Sequence, residues 1–161
     1  MVENLSHDNS GFPFTAPGVL VINGQNLYAG FGSGDSADAV TSSNVGEFLT
    51  GDPHEIVSYN DGVNTGPTGV AFDSAGNVYI AEYYSSTWVK YAPNNGTVPL
   101  CVVSSHVHGP EGIAIAKHGT IYVSNSAANN ITWYTQRVLT EEPSTEVSEG
   151  LSQPEAARTN N

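Results

Sequence analysis

Two histidines in this chain have a spacing that suits metal binding. His106 and His108 flank a single valine and directly precede a Gly-Pro-Glu motif that contains Glu111. In an extended segment, residues two apart project from the same face, and imidazole nitrogens are common ligands of zinc and copper. The sequence does not name the further ligands that a metal needs. Two solvated imidazoles on a polar loop are therefore the favoured alternative.

Other catalytic chemistry finds little support in the sequence. The single cysteine, Cys101, excludes an internal disulfide or a multi-cysteine zinc site, and its apolar neighbours predict a buried, unreactive thiol. We find no Gly-X-Ser-X-Gly elbow, phosphate-binding loop or Cys/His pairing, which disfavours nucleophilic catalysis and nucleotide binding. The net charge of -12, from 16 acidic against 4 basic residues, leaves no basic patch for nucleic acid.

The sequence predicts a soluble chain and leaves its compartment open. The first residues lack the basic segment and apolar core of a signal peptide, and no run approaches about 18 apolar residues. Asn-X-Ser/Thr triplets begin at Asn4, Asn95 and Asn130. These triplets are weak hints that the chain is a fragment of a secreted protein.

An internal repeat is the strongest pattern in the chain. Gly-Pro-Thr-Gly-Val-Ala-Phe at 66–72 recurs as Gly-Pro-Glu-Gly-Ile-Ala-Ile at 109–115, an offset of 43 residues without a gap. The positions that recur in phase include Gly76 and Gly119, Tyr79 and Tyr122, and Tyr91 and Tyr134. A period of this length with strand-like alternation is typical of β-propeller blades.

A more divergent copy precedes these two, at residues 17–49, with about eight additional residues. The insertion falls within 32–38, where a polar, Gly-rich composition predicts an enlarged surface loop.

Each repeat predicts four antiparallel strands joined by turns rich in Gly, Asn and Pro. In the middle copy the predicted strands are residues 68–73, 77–82, 87–92 and 98–104. The third copy lacks a clear fourth strand. The prediction is thus an all-β, incomplete propeller of about three blades, at residues 16–60, 66–104 and 109–138, followed by an acidic tail, 139–161, that we expect to be disordered.

Residues 66–82 resemble an NHL repeat, whose pattern is Gly-Pro-X-Gly-Val-Ala-Val-Asp, a short turn and Gly-Asn-Val-Tyr-Val-Ala-Asp. The resemblance covers 66–92 and 109–135 well and 17–49 loosely. Where the family continues Asp-X-X-Asn-X-Arg-Val, the chain has Glu-Tyr-Tyr-Ser-Ser-Thr-Trp-Val from residue 82 onward and lacks the arginine.

The resemblance implies where ligands would bind. The residue between Pro and Gly on the inner strand faces the channel mouth, and here it is Thr68 in one copy and Glu111 in the next. Gluconolactonase-like propellers carry a metal-binding acid or amide at this position, and streptogramin-lyase-like propellers a histidine. Only Glu111 fits this pattern, and one carboxylate leaves a site for a divalent cation such as Ca²⁺ or Zn²⁺ incomplete. His106 and His108 are separate metal-ligand candidates that rest on their spacing. We assign no other cofactor.

Four glycines of the repeat have mechanical roles in this interpretation. Gly69 and Gly112 are expected to permit close approach of neighbouring backbones near the channel, and Gly76 and Gly119 to close tight turns. The repeated tyrosines are expected to pack between blades.

We expect a non-enzymatic scaffold that presents loops for protein or small-ligand binding. The alternative is part of a propeller enzyme, either a metal-dependent lactonase or a lyase. Neither nucleic-acid binding nor membrane insertion is expected. Because propellers close with about four to eight blades, three blades predict either a ring-like homodimer or further blades encoded in a longer chain.

Overall fold

The computed structural model describes residues 17–31, 44–52, 54–60 and 66–135. This part of the chain is entirely β-structure and turns, as the composition predicts. None of its segments is a helix with the length and apolar character needed to cross a bilayer. The predicted loop insertion at 32–38 and the predicted tail at 139–161 lie outside the described residues.

Eleven strands of the described residues form three antiparallel sheets, which we call blades 1, 2 and 3. Within each blade, every strand pairs with the next along the chain. Blade 1 contains β1 (Pro17–Asn23), β2 (Asn26–Phe31), β3 (Asn44–Leu49) and β4 (Glu55–Tyr59). Blade 2 contains β5 (Pro67–Phe72), β6 (Val78–Glu82), β7 (Thr87–Tyr91) and β8 (Pro99–Val103). Blade 3 contains β9 (Pro110–Ile115), β10 (Ile121–Asn125) and β11 (Asn130–Tyr134).

The repeat of 43 residues has the same register in blades 2 and 3. Tyr79 lies opposite Ala71 and Lys90, and Tyr122 lies opposite Ala114 and Trp133. The turns that precede these tyrosines also match, since Gly76 and Gly119 have φ values of 80° and 81°. A gapless sequence offset therefore becomes a matched strand register.

The first strand of each blade lies against the first strand of the next, so that β5 contacts both β1 and β9. Gly69 makes this approach possible, because a Cβ atom there would lie 3.1 Å from the Cα of Gly112 and 3.0 Å from the nitrogen of Ile113. Antiparallel blades whose inner strands adjoin in sequence order are the architecture of a β-propeller.

Most of the core lies between blades, and a smaller cluster of Ala29 and Phe48 lies on the face of blade 1 that points away from blade 2. One cluster joins blades 1 and 2, with Tyr28, Val45 and Tyr59 on one side and Val70, Val78, Ile80, Val89 and Tyr91 on the other. A second joins blades 2 and 3, with Tyr79 and Trp88 facing Val107, Ile121, Val123 and Tyr134. Blade 2 is therefore covered on both faces, and β6 is buried along its whole length. Removal of these apolar side chains from water is the main stabilising contribution expected in a repeat architecture.

Tyr122 departs from the expectation that every repeated tyrosine packs between blades. It is 44% exposed, whereas Tyr79, at the same register in blade 2, is fully buried. The physical reason is that blade 3 packs over Tyr79, whereas within the described residues no sheet packs over Tyr122.

Candidate functional site

Three loops of blades 2 and 3 lie at the end of the sheets where the inner strands begin. They are residues 83–86 between β6 and β7, 104–109 between β8 and β9, and 126–129 between β10 and β11. We call this surface the loop end. Loops carried on a rigid scaffold are the usual location of binding residues, and the sequence-predicted candidates His106, His108, Thr68 and Glu111 all lie in or beside these loops.

Two buried glycines attach the loops to the inner strands in the same way in both blades. The carbonyl oxygen of Gly66 accepts the N–H of Tyr83 at 2.9 Å, and that of Gly109 accepts the N–H of Ser126 at 3.0 Å. Both glycines have positive φ, 61° and 53°. This left-handed conformation is accessible to glycine at little cost, so the Gly-Pro of the repeat fixes how the chain enters each inner strand.

The side chain of Asn125 holds the loop at residues 104–109, which we call the histidine loop, in place through hydrogen bonds. This side chain is 1% exposed. Its Oδ1 accepts the N–H of His108 at 3.0 Å, and its Nδ2 donates to the carbonyl of His106 at 3.4 Å and to Asn130 Oδ1 at 3.0 Å. The hydroxyl of Thr132 also donates to the His106 carbonyl, at 2.9 Å. A buried amide with these partners stabilises one loop conformation.

The same loop directs its apolar residue inward and its imidazoles outward. Val107 is 2% exposed and belongs to the cluster between blades 2 and 3. His106 and His108 on either side are exposed, and His106 has a φ of 58° and its Nδ1 within 2.9 Å of the Ser105 hydroxyl. The two rings are thus presented to solvent by a loop that is anchored at its centre.

A metal role for Glu111, His106 and His108 stays a prediction. Among the residues that the structure describes, no group of three or more His, Cys, Asp or Glu side chains is close enough to hold an ion. Glu111 is exposed on β9, and no hydrogen bond or ion pair joins its carboxylate to another described residue.

Thr68, at the matching position of blade 2, makes a contact between blades. Its hydroxyl donates to the carbonyl of Pro110 at 2.6 Å and also lies 3.3 Å from the carbonyl of Ala81. The second residue of β5 is therefore used to join the inner strands of blades 2 and 3. Glu111 occupies the same position on β9 without a following inner strand in the described residues.

Two tyrosines that the sequence analysis did not single out add to the loop end. Tyr83 and Tyr84 are 37% and 59% exposed, with ring centroids 5.5 Å apart and planes at 89°. The Tyr83 ring lies beside Gly109, and the Tyr84 ring lies beside Gly66. These tyrosines occupy the two variable positions just after β6, where the resemblance carries no expectation about the side chain; the signal available was a pair of adjacent tyrosines in a predicted turn.

The acidic residue that ends β6 has a structural role. Glu82 is 3% exposed, and its Oε2 accepts hydrogen bonds from Thr87 at 2.7 Å and Ser85 at 3.3 Å. Asn125 ends β10 at the matching position and contacts Asn130, the counterpart of Thr87. A buried polar residue thus fixes the start of the third strand in both blades.

Cys101 is half-buried against the cluster between blades 2 and 3. Burial raises the pKa of its thiol. A raised pKa disfavours the nucleophilic thiolate at neutral pH, in keeping with the structural role predicted for this residue.

The chain was compared with protein families, curated proteins and solved structures. No protein-family model matches it, and no curated protein sequence matches it. A solved structure that it resembles is the PQQ-bound aldose sugar dehydrogenase from Streptomyces coelicolor, with 19% identity and a TM-score of 0.44. The match covers 68% of this chain and 41% of that chain, so the chain spans less than half of the length of that structure.

Proposed function

We propose that this chain is an NHL-type propeller module that binds a protein or small ligand through its loop end and performs no catalysis itself. The observation that carries this proposal is the buried Asn125, which fixes a loop whose two imidazoles face solvent. A loop fixed in advance loses little conformational entropy when a ligand binds, and that favours affinity.

The exposed side chains of the loop end have the chemistry of a recognition surface. Tyr83 and Tyr84 each offer apolar ring area together with a hydroxyl group, and tyrosine is enriched where proteins contact partners. The imidazoles of His106 and His108 add hydrogen-bonding nitrogens beside them. Because these side chains stand on two loops of adjacent blades, an extended peptide segment of another protein is the ligand that would contact most of them.

Selection from a random peptide library on the immobilised chain would test the proposal. We expect the selected peptides to bind a Tyr84→Ala/His108→Ala variant at least tenfold more weakly than the unmodified chain. They should bind His118→Ala without change. His118 is a matched control because it is an exposed histidine in the turn between β9 and β10, at the opposite end of blade 3.

Two results would contradict this function. One is the absence of any enriched peptide. The other is a set of ligands whose binding is insensitive to every substitution at the loop end, which would direct attention to another surface of the blades.

A further inference from the structure

The inner strand of each blade contains a β-bulge at its second residue. In every blade the pairing of the inner strand with its neighbour skips this one residue, which is Gly18 in blade 1, Thr68 in blade 2 and Glu111 in blade 3. A bulged residue is left out of the strand pairing, and bulges beside binding sites often re-aim a side chain. The repeat therefore places one re-aimed residue per blade where the inner strand begins at the loop end.

The three bulged residues differ in what their side chains can bind. Gly18 has no side chain, and the hydroxyl of Thr68 is bound to the carbonyl of Pro110 at 2.6 Å. Glu111 is exposed, and its carboxylate has no hydrogen bond or ion pair with another described residue. Of these three bulged residues, Glu111 is the one whose polar group is available to a ligand.

Positive charge is scarce around the Glu111 carboxylate. The chain has four Lys and Arg residues, and none of them lies in the three loops of the loop end. Lys90 lies 3.4 Å from Asp73, which follows the far end of β5, and Lys117 is in the turn at the opposite end of blade 3. A second carboxylate, Glu82, ends β6 at the loop end and accepts hydrogen bonds from hydroxyl groups. The negative charge of this surface favours a cationic ligand.

An aromatic ring lies close to the same strand. The Cε2 atom of Tyr83 would be 3.2 Å from a Cβ atom on Gly109, which is two residues before Glu111 in the chain. The ring of Tyr83 meets that of Tyr84 edge to face, and both are partly exposed. Aromatic faces attract cations through the ring quadrupole. A cation bound here would therefore interact with a ring as well as with a carboxylate.

We infer that the ligand of the loop end carries an arginine side chain, whose guanidinium pairs with the Glu111 carboxylate and packs against the Tyr83 ring. Arginine suits this pair better than lysine, because its planar guanidinium donates two parallel hydrogen bonds to a carboxylate and stacks on aromatic faces. The inference rests on the peptide-binding function proposed above, and it adds the chemical class of the ligand.

Two synthetic peptide pools test the inference. Both pools have one fixed central residue among random uncharged positions, arginine in the first pool and citrulline in the second. Citrulline has nearly the size and shape of arginine but no charge, so the difference between the pools isolates the charge. Each pool is passed over the immobilised chain, and the retained peptides are quantified by mass spectrometry. We expect the unmodified chain to retain the arginine pool at least tenfold better.

Substitutions then locate the preference for arginine. Glu111→Gln removes the charge at nearly constant size and should reduce the preference at least fivefold without weakening retention of the citrulline pool. Asp52→Asn is the matched control and should leave the preference intact, because it removes the same charge from an exposed carboxylate between β3 and β4. Tyr83→Leu should also reduce the preference, and Tyr83→Phe should keep it, since the ring and not the hydroxyl attracts the cation.

Three results would overturn the inference. They are equal retention of the two pools by the unmodified chain, a preference that Glu111→Gln leaves intact, and an equal reduction by Asp52→Asn, which would mean that net charge alone attracts the peptides. In each case, library peptides that lose affinity in the Tyr84→Ala/His108→Ala variant would still support the proposed function. If neither pool is retained and the library yields no enriched peptide, the inference and the proposed function fail together.

Discussion

Blades 2 and 3 share a register, a turn geometry and much of a sequence, yet their equivalent faces are in different environments. Trp88 of blade 2 is fully buried beside Tyr79 and Tyr134, with its ring 5.4 Å from that of Tyr134. Its counterpart in blade 3, Ile131, is 62% exposed. The comparison shows that the repeat determines which direction a side chain points, while the neighbouring blade determines whether that side chain stabilises the fold.

The largest difference between the faces should appear on truncation of these two counterparts. Trp88→Ala removes a fully buried ring and should lower the free energy of unfolding by about 3–5 kcal/mol. Ile131→Ala should change it by less than about 0.5 kcal/mol when the chain is dilute enough to be monomeric, because surface substitutions cost little. Urea unfolding of both variants measures the difference. Equal losses would mean that the two faces are equally buried in solution.

The buried anchor of the histidine loop should have an intermediate effect. Asn125→Ala leaves the His108 N–H and the His106 carbonyl without this side-chain partner, and a buried unpaired polar group costs about 1–3 kcal/mol. We expect a loss of stability in this range and faster hydrogen exchange confined to residues 104–109. Asn95→Ala, in the exposed turn between β7 and β8, is the control. Unchanged exchange in the loop would show that Asn125 does not hold it.

The pH dependence of stability should report a buried carboxylate, Asp73, that blade 2 has and blade 3 lacks. Burial opposes ionisation of Asp73, but hydrogen bonds from Asn77, Tyr79 and Ala75 outweigh it and lower the pKa of the carboxyl. A group with a lowered folded pKa stabilises the fold above its unfolded pKa, and this contribution is lost as the pH falls through the folded pKa.

Asp73→Asn should therefore reduce stability at pH 7 and flatten the decline in stability below about pH 4. Ala116 takes the place of Asp73 in blade 3, so that blade has no equivalent carboxylate. Thermal unfolding from pH 2.5 to 7 measures the effect. The same acid-induced loss in the unmodified chain and in the variant would contradict it.

The smallest expected effect concerns metal. A scaffold without a metal site predicts no rise in melting temperature when Ca²⁺ or Zn²⁺ is added, for either the unmodified chain or Glu111→Ala. A ligand that binds only the folded state at a hundred times its dissociation constant would stabilise it by about 2.7 kcal/mol. A rise that Glu111→Ala abolishes would instead support the metal-dependent enzyme.

Much of the fold could be predicted from the sequence because it is repeated. The offset of 43 residues predicted strands at 68–73 and 87–92, and the structure has Pro67–Phe72 and Thr87–Tyr91. Periodic glycine, proline and tyrosine positions carry this information locally. The missing fourth strand of the third copy also agrees with the three-stranded sheet among the described residues.

The burial and hydrogen-bond partners of individual side chains could not be predicted from the repeat. Tyr122 has the same sequence context as Tyr79, but burial depends on a neighbouring blade that the repeat itself does not specify. The role of Asn125 was also missed, because its partners lie 17 and 19 residues earlier in the chain. Such contacts follow from the docking of a loop and not from any local pattern.

Hydroxyl-radical labelling of the dilute chain, read by mass spectrometry, tests most directly whether equivalent faces differ as described. The account predicts strong labelling of Tyr122, Ile131 and Leu20 and protection of Tyr79 and Trp88. Equal labelling of Tyr79 and Tyr122 in the dilute chain would contradict the blade packing on which every proposal above depends.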